Sequence, residues 1–205
     1  MNRLHRWYCR SGFWKKRLGE DLLPWAIGGL DLGTDLLELG PGPGLTTDIL
    51  RQQFQRVTSL EIDARLATAL HHRLQGMNVR VLEGNAAAMP FKNASFSGAV
   101  AFTMLHHVSS VTLQDALLAE VCRVLRPGGP FVGCDSLWSR AFEVFHWFDT
   151  MVVVDPNTLD GRLKTAGFVD VSIEVGERAF RFAARRPALK KSPESVSPES
   201  VAGGG

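Results

Sequence analysis

The residues of this chain best placed to do chemistry are two carboxylates and the run of glycines and prolines between them. Glu38 lies inside the apolar run Leu36-Leu37-Glu38-Leu39, and Gly40-Pro41-Gly42-Pro43-Gly44 follows at once. Glycines at alternate positions let a backbone turn sharply and pass close to a ligand with no side chain between them. From Leu45 the apolar residues return at helical spacing, Leu45 with Ile49 and Leu50 with Phe54. Strand, glycine turn and helix open a nucleotide-binding α/β unit, and Glu61 ends a second strand-like run where an acid would grip a ribose hydroxyl. The dinucleotide fingerprint G-x-G-x-x-G is absent, because Leu45 stands where its last glycine belongs. A pyrophosphate wants free N–H groups at the helix start, and Pro41 and Pro43 remove two of them. The loop therefore suits a nucleoside ligand without phosphates.

Taken with four further segments in order, Leu36 to Gly44 resembles motif I of class I S-adenosylmethionine (SAM) dependent methyltransferases. Val57-Thr58-Ser59-Leu60-Glu61-Ile62-Asp63 is similar to the family's second strand and ribose-binding acid. Glu83-Gly84-Asn85-Ala86, with Met89-Pro90-Phe91 and Ser95-Phe96, resembles its adenine loop and the approach to strand four. Leu105-His106-His107-Val108 resembles a segment of quinone-biosynthesis-type members, and Arg123-Val124-Leu125-Arg126-Pro127-Gly128-Gly129 their turn into strand five. The resemblance covers roughly residues 34 to 185. It implies SAM as cofactor, held by Glu38, Gly40, Pro41, Gly42, Gly44, Glu61, Ile62, Asn85, Ala86 and Thr103. Two positions depart from the family's pattern. Asn85 stands where an aspartate commonly accepts the adenine amino group, and Ser97 follows Phe96 where an aspartate is common.

The elements that must position these residues alternate. Strands read at 35–39, 57–61, 79–83, 98–102 and 130–135, with helices near 45–54, 64–75 and 112–125. The helix after strand four shows a face of Leu113, Leu117, Val121 and Val124. Such alternation implies a parallel sheet covered on both sides. A closing helix at 159–166 and β-rich runs at 169–175 and 178–185 resemble the family's last helix and hairpin. The expected fold is a doubly wound, Rossmann-like, mostly parallel seven-stranded sheet with one antiparallel strand and helices on both faces. Residues 1–33 read as an N-terminal helical cap and 34–186 as the SAM domain. Residues 187–205, with Ser192-Pro193-Glu194-Ser195-Val196 repeated as Ser197-Pro198-Glu199-Ser200-Val201, read as a disordered tail.

At 205 residues with 45% hydrophobic content, the chain can bury one sizeable core. A net charge of +2 is too small to imply a nucleic-acid partner. Cys9, Cys122 and Cys134 lack metal-ligand spacing and read as reduced thiols, and nothing identifies a metal site. No run reaches membrane-spanning length and the N-terminus lacks an apolar signal core, so cytoplasm is the expected compartment.

A sulfonium methyl is already activated, so its transfer needs an in-line nucleophile and accurate positioning more than covalent help. Glu38 would suit the ligand's cationic methionine end; Glu61 would accept the ribose hydroxyls; Asp63 reads as a helix N-cap. His106 and His107 follow strand four at its carboxyl end and are the candidate general bases, though adjacent residues cannot both face a site. His146 and Asp149 could pair on a helix. Ala101-Phe102-Thr103-Met104 lacks the Asn/Asp-Pro-Pro-aromatic segment of enzymes that methylate adenine or glutamine amino groups. A small, lipophilic acceptor is the favoured substrate. Arg3, Arg6, Arg10, Lys15, Lys16 and Arg17, interleaved with Trp7, Tyr8, Phe13 and Trp14, would suit an amphiphilic substrate or a membrane surface. A catalytically silent nucleoside-binding scaffold stays open, as does a methyltransferase acting on nucleic acid or protein. SAM binding separates the first from an enzyme, and a strongly basic surface would mark the second.

Overall fold

The computed structural model describes residues 16–139 and 151–189. The basic aromatic N-terminus through Lys15, the pair His146 and Asp149, and the repeats of the tail lie outside the described residues.

A π-helical turn, Leu18–Leu22, runs directly into α1, Leu23–Ile27. The strands and helices then follow as β1 (Asp35–Leu39), α2 (Leu45–Gln53), β2 (Arg56–Glu61), α3 (Ala64–Leu74), β3 (Val79–Glu83) and β4 (Gly98–Phe102). After a 3-10 turn at Leu105–His107 come α4 (Val111–Val124), β5 (Pro130–Ser136), α5 (Pro156–Thr165), β6 (Val169–Val175) and β7 (Ala179–Arg185). The seven strands form one sheet in the order β3-β2-β1-β4-β5-β7-β6. The pairs among β1 to β5 are parallel. β7 runs antiparallel to both β5 and β6, which makes it the one reversed strand, as expected.

Side-chain alternation along the central strands divides the core into two layers. Leu37, Leu39, Ala99, Ala101 and Phe131 face α4 and α5 and pack with Leu117, Val121, Leu159 and Leu163. Leu36, Val100, Phe102, Val132 and Cys134 point the other way, to Leu50 of α2 and to Leu18, Leu22, Leu23 and Ala26 of the N-terminal segment. That segment is a full member of the second layer. Trp25 fastens it further: its indole N–H donates to Glu174 of β6 at 2.9 Å, and Arg181 of β7 donates to both the Trp25 carbonyl and Glu174.

The helix boundaries follow local capping. Asp63 accepts the N–H groups of Arg65 and Leu66, and Ser110 accepts that of Leu113. α5 begins earlier than its apolar pattern suggests, because Asp155 caps it and Pro156 takes the first helical position. Leu113 also departs from the expected buried stripe of α4: it is 39% exposed, while Leu117, Val121 and Val124 are buried. No described helix is long and apolar enough to cross a membrane.

Candidate functional site

A cavity of about 500 Å³ opens at the carboxyl ends of the parallel strands, within the range of small-molecule sites. The structure brings Gly40, Pro41, Gly42, Glu61, Ile62, Asn85, Ala86, Thr103 and His107 to its wall. Glu38, Gly44 and His106 are absent from that lining, and each is diverted for a physical reason.

The loop after β1 satisfies itself. Gly40 N–H donates to the Leu60 carbonyl, Gly42 N–H to a Glu61 carboxylate oxygen and Gly44 N–H to the Pro41 carbonyl, all at 2.9 Å. With two prolines between them, these five residues leave no backbone N–H to meet a pyrophosphate. Gly42 is the open position: nothing lies within 4 Å of where a side chain would begin, at φ +54°. Gly44 is glycine for packing, since a Cβ there would collide with the Leu70 side chain of α3. Arg73 holds the same loop from outside, donating to the Pro43 and Gly44 carbonyls while pairing with Asp48.

Glu61 is the hinge between the loop and the β2–α3 turn. One oxygen accepts Gly42 N–H at 2.9 Å, and the other accepts Asp63 N–H at 3.0 Å. A carboxylate has about four lone-pair sites, so both oxygens can still accept from a ligand diol. Ile62, 70% exposed beside it, offers an apolar face at the cavity.

Glu38 is set back from the cavity wall. Its carboxylate is fully buried and accepts hydroxyls from Thr46, Thr47 and Ser59, the last two at 2.7 Å. Burial pushes its carboxyl above the usual range, against the pull of those three donors. It ties the first turn of α2 to β1 and β2 and reaches the cavity only through Thr46, which does line it.

The two departures from the family pattern find local partners. The Ser97 hydroxyl donates to the Leu32 carbonyl at 2.8 Å and accepts Asp35 N–H at 2.9 Å, so it anchors the entry to β1. Asn85 folds back on its own loop, its amide oxygen accepting Ala87 N–H at 2.9 Å.

The wall beyond β4 is built differently. Thr103 takes a left-handed backbone at φ +50°, rare for a β-branched residue, and this bend presents Thr103 and Met104 to the cavity. The turn that follows is locked from behind. His106 is buried; its Nδ1 lies 2.5 Å from Asp135 Oδ1 and its backbone N–H donates to Asp135 Oδ2 at 3.2 Å. Gln114 donates to the Leu105 and Val152 carbonyls, and Val152 N–H to the His106 carbonyl. His107 is the histidine that faces the cavity, its ring centroid 4.1 Å from that of His106. Val108, Leu113, Leu117 and, from the N-terminal segment, Leu18 make the surrounding wall apolar.

Sequence reasoning misses Asp135 and Gln114. An acid closing the apolar run Phe131-Val132-Gly133-Cys134 is a signal that could find Asp135; nothing local marks Gln114. Among the described residues no cluster of three His, Cys, Asp or Glu could hold a metal ion.

Residues 37–133 match the family model described as a methyltransferase domain. A "Probable S-adenosylmethionine-dependent methyltransferase" of Mycolicibacterium smegmatis is 36% identical over 100 residues, 49% of this chain and 37% of that protein. The demethylmenaquinone methyltransferase of Tropheryma whipplei is 28% identical over 117 residues, 56% of this chain and 46% of its own. An rRNA adenine N-6-methyltransferase of Saccharopolyspora erythraea is 40% identical over 121 residues, 55% and 32% of the two chains. The chain thus spans about a third to a half of the length of these curated relatives. Among solved structures, the PH0226 protein of Pyrococcus horikoshii superposes with a TM-score of 0.72 at 17% identity, over 87% of this chain and 94% of that one, a likeness of fold.

Proposed function

We propose that this chain, which carries a class I SAM-dependent methyltransferase domain, binds SAM in the cavity and transfers its methyl group to a small, lipophilic acceptor. The observation that carries the reading is the Glu61 carboxylate, pinned at both oxygens by the N–H groups of Gly42 and Asp63 beside a loop with no phosphate donors. Bound SAM would supply an activated methyl on a sulfonium.

Glu61 would then accept the ribose hydroxyls and Gly42 let the backbone approach. Asn85, Ala86 and Ile62 would border the base, and Pro41, Gly40 and Thr103 the methionine portion. Glu38 orients Thr46 and the helix start. Positioning of this kind accounts for much of the rate when reacting atoms are held about 3–3.5 Å apart. His107, which lines the cavity, would take a proton from a hydroxyl or amine acceptor, with His106 and Asp135 holding its turn. The apolar wall of Val108, Leu113 and Leu117 supports a lipophilic acceptor, in line with the quinone-type relative. We take residues 34–186 as the catalytic unit, with the segment before it as a cap whose Leu18 reaches the cavity, and the basic aromatic N-terminus as a point of membrane contact. Buried free thiols at Cys122 and Cys134 support a reducing, cytoplasmic setting.

Calorimetry with SAM and S-adenosylhomocysteine tests the cavity; absence of heat at millimolar ligand would leave only a scaffold. A labelled-methyl screen of lipid extracts, soluble metabolites and RNA tests the acceptor. Label in RNA alone would favour the reading suggested by the Saccharopolyspora relative.

A further inference from the structure

Asn85 lies on the cavity wall at the end of β3, where Gly84 N–H is fixed to the Glu61 carbonyl at 2.9 Å. Its side chain has a defined orientation, because Oδ1 accepts Ala87 N–H at 2.9 Å. Turning the amide over would set its NH2 against that N–H, donor against donor. The loop is closed once more by Ala88 N–H donating to the Asn85 carbonyl at 3.0 Å. The group offered outward is therefore an amide with two N–H donors and one remaining lone pair on Oδ1. A carboxylate at the same place would offer acceptors only.

That difference bears on a purine. With a ribose at Glu61, on β2, and the glycine loop and Thr103 on the β1 and β4 side, the strand order leaves the base toward β3 and Asn85. A 6-amino purine presents a donor on its 6-position beside the N1 acceptor; a 6-oxo purine presents an acceptor beside an N1–H donor. An amide can answer either edge, whereas a carboxylate repels the 6-oxo group.

Resting on the SAM-site reading above, the geometry points to Asn85 as a specificity-determining residue that opens the site to 6-oxo as well as 6-amino nucleoside thioethers. The ligand class is accordingly purine-nucleosyl homocysteine, with the inosyl form accepted beside the adenosyl form.

The test is calorimetry on the full chain with S-adenosylhomocysteine and S-inosylhomocysteine, for the native protein and for Asn85→Asp. Aspartate can accept the same Ala87 N–H, and an unchanged thermal melt confirms that the variant is folded. The two ligands should bind the native chain within about 30-fold of each other, and the substitution should widen the ratio by roughly 10-fold or more in favour of the adenosyl form. A native preference beyond that limit, or a ratio unmoved by Asn85→Asp, overturns the inference while leaving the SAM site standing. Failure of both ligands to bind the native chain removes the SAM site and the inference with it.

Discussion

At the ends of β1 and β2 the cavity wall is the glycine loop and the β2–α3 turn, held to each other by hydrogen bonds among residues 40 to 63. At the ends of β4 and β5 it is a bent turn locked by Gln114 of the next helix and, from farther along the chain, by Asp135 and Val152. The first region carries features that recur wherever a nucleoside must be held. The second has an apolar wall, one histidine at the surface and a buried carboxylate behind it, features that would vary with the acceptor. On the reading proposed above, the half that would hold the cofactor is written in local motifs, while the half that would hold the acceptor is assembled from whatever packs behind it.

The contrast is sharpest inside the glycine loop. Gly44→Ala should cost about 3 kcal/mol of stability, since it forces a Cβ against Leu70 at φ +87°. Gly42→Ala should cost only about 1 kcal/mol, from its positive φ, while weakening SAM binding. Urea unfolding alongside ligand titration reads both; equal stability losses would mean that the two glycines do the same job.

Next comes Glu61→Ala, expected to weaken SAM binding by roughly 2–3 kcal/mol, as for a charge-assisted hydrogen-bonding group. Unchanged affinity with an intact fold would put the ribose elsewhere. Asp135→Ala should lower stability by about 2 kcal/mol, because it leaves buried His106 donors without their acceptor. Its effect on S-adenosylhomocysteine affinity should be far smaller than that of Glu61→Ala; comparable losses would erase the division between the two halves.

The smallest effect lies at the opposite end of the sheet. Hydrogen bonds from Arg56 and Arg126 hold the Asp35 carboxyl down to about 2 from its ordinary 3.8. Their contribution is complete above that ordinary value and is lost as pH falls from there toward 2. Both arginines are solvent-exposed, so Asp35→Asn should cost no more than about 1 kcal/mol at neutral pH. The difference from the native chain should shrink to nothing in acid-unfolding curves near pH 2.

The two halves of the cavity also differ in how far the amino-acid sequence reveals them. Strand and helix positions are legible because apolar periodicity and the glycine loop are local signals, and Glu61 and Gly42, marked by those signals, both line the cavity. The surroundings of Glu38 are hidden from its own neighbourhood: Ser59 of β2 and two threonines of α2 donate to its oxygens, and only the parallel register sets Ser59 beside it. Which of His106 and His107 faces inward is equally hidden, because the choice is made by Asp135, brought alongside by the β4–β5 pairing. Apolar spacing misses the start of α5, although Asp155-Pro156 is itself a capping signal.

β7 enters the sheet between β5 and β6, so the outer edge of β5 stays unpaired until nearly the last described residue has left the ribosome. Until then the strand carrying Asp135 is an exposed rim with Phe131 and Val132 open to mispairing. Such a chain acquires the β1–β2 half of its cavity early in synthesis and completes the half bearing His107 only at the end. A truncation before Ala179 should therefore yield a protein prone to self-association through β5.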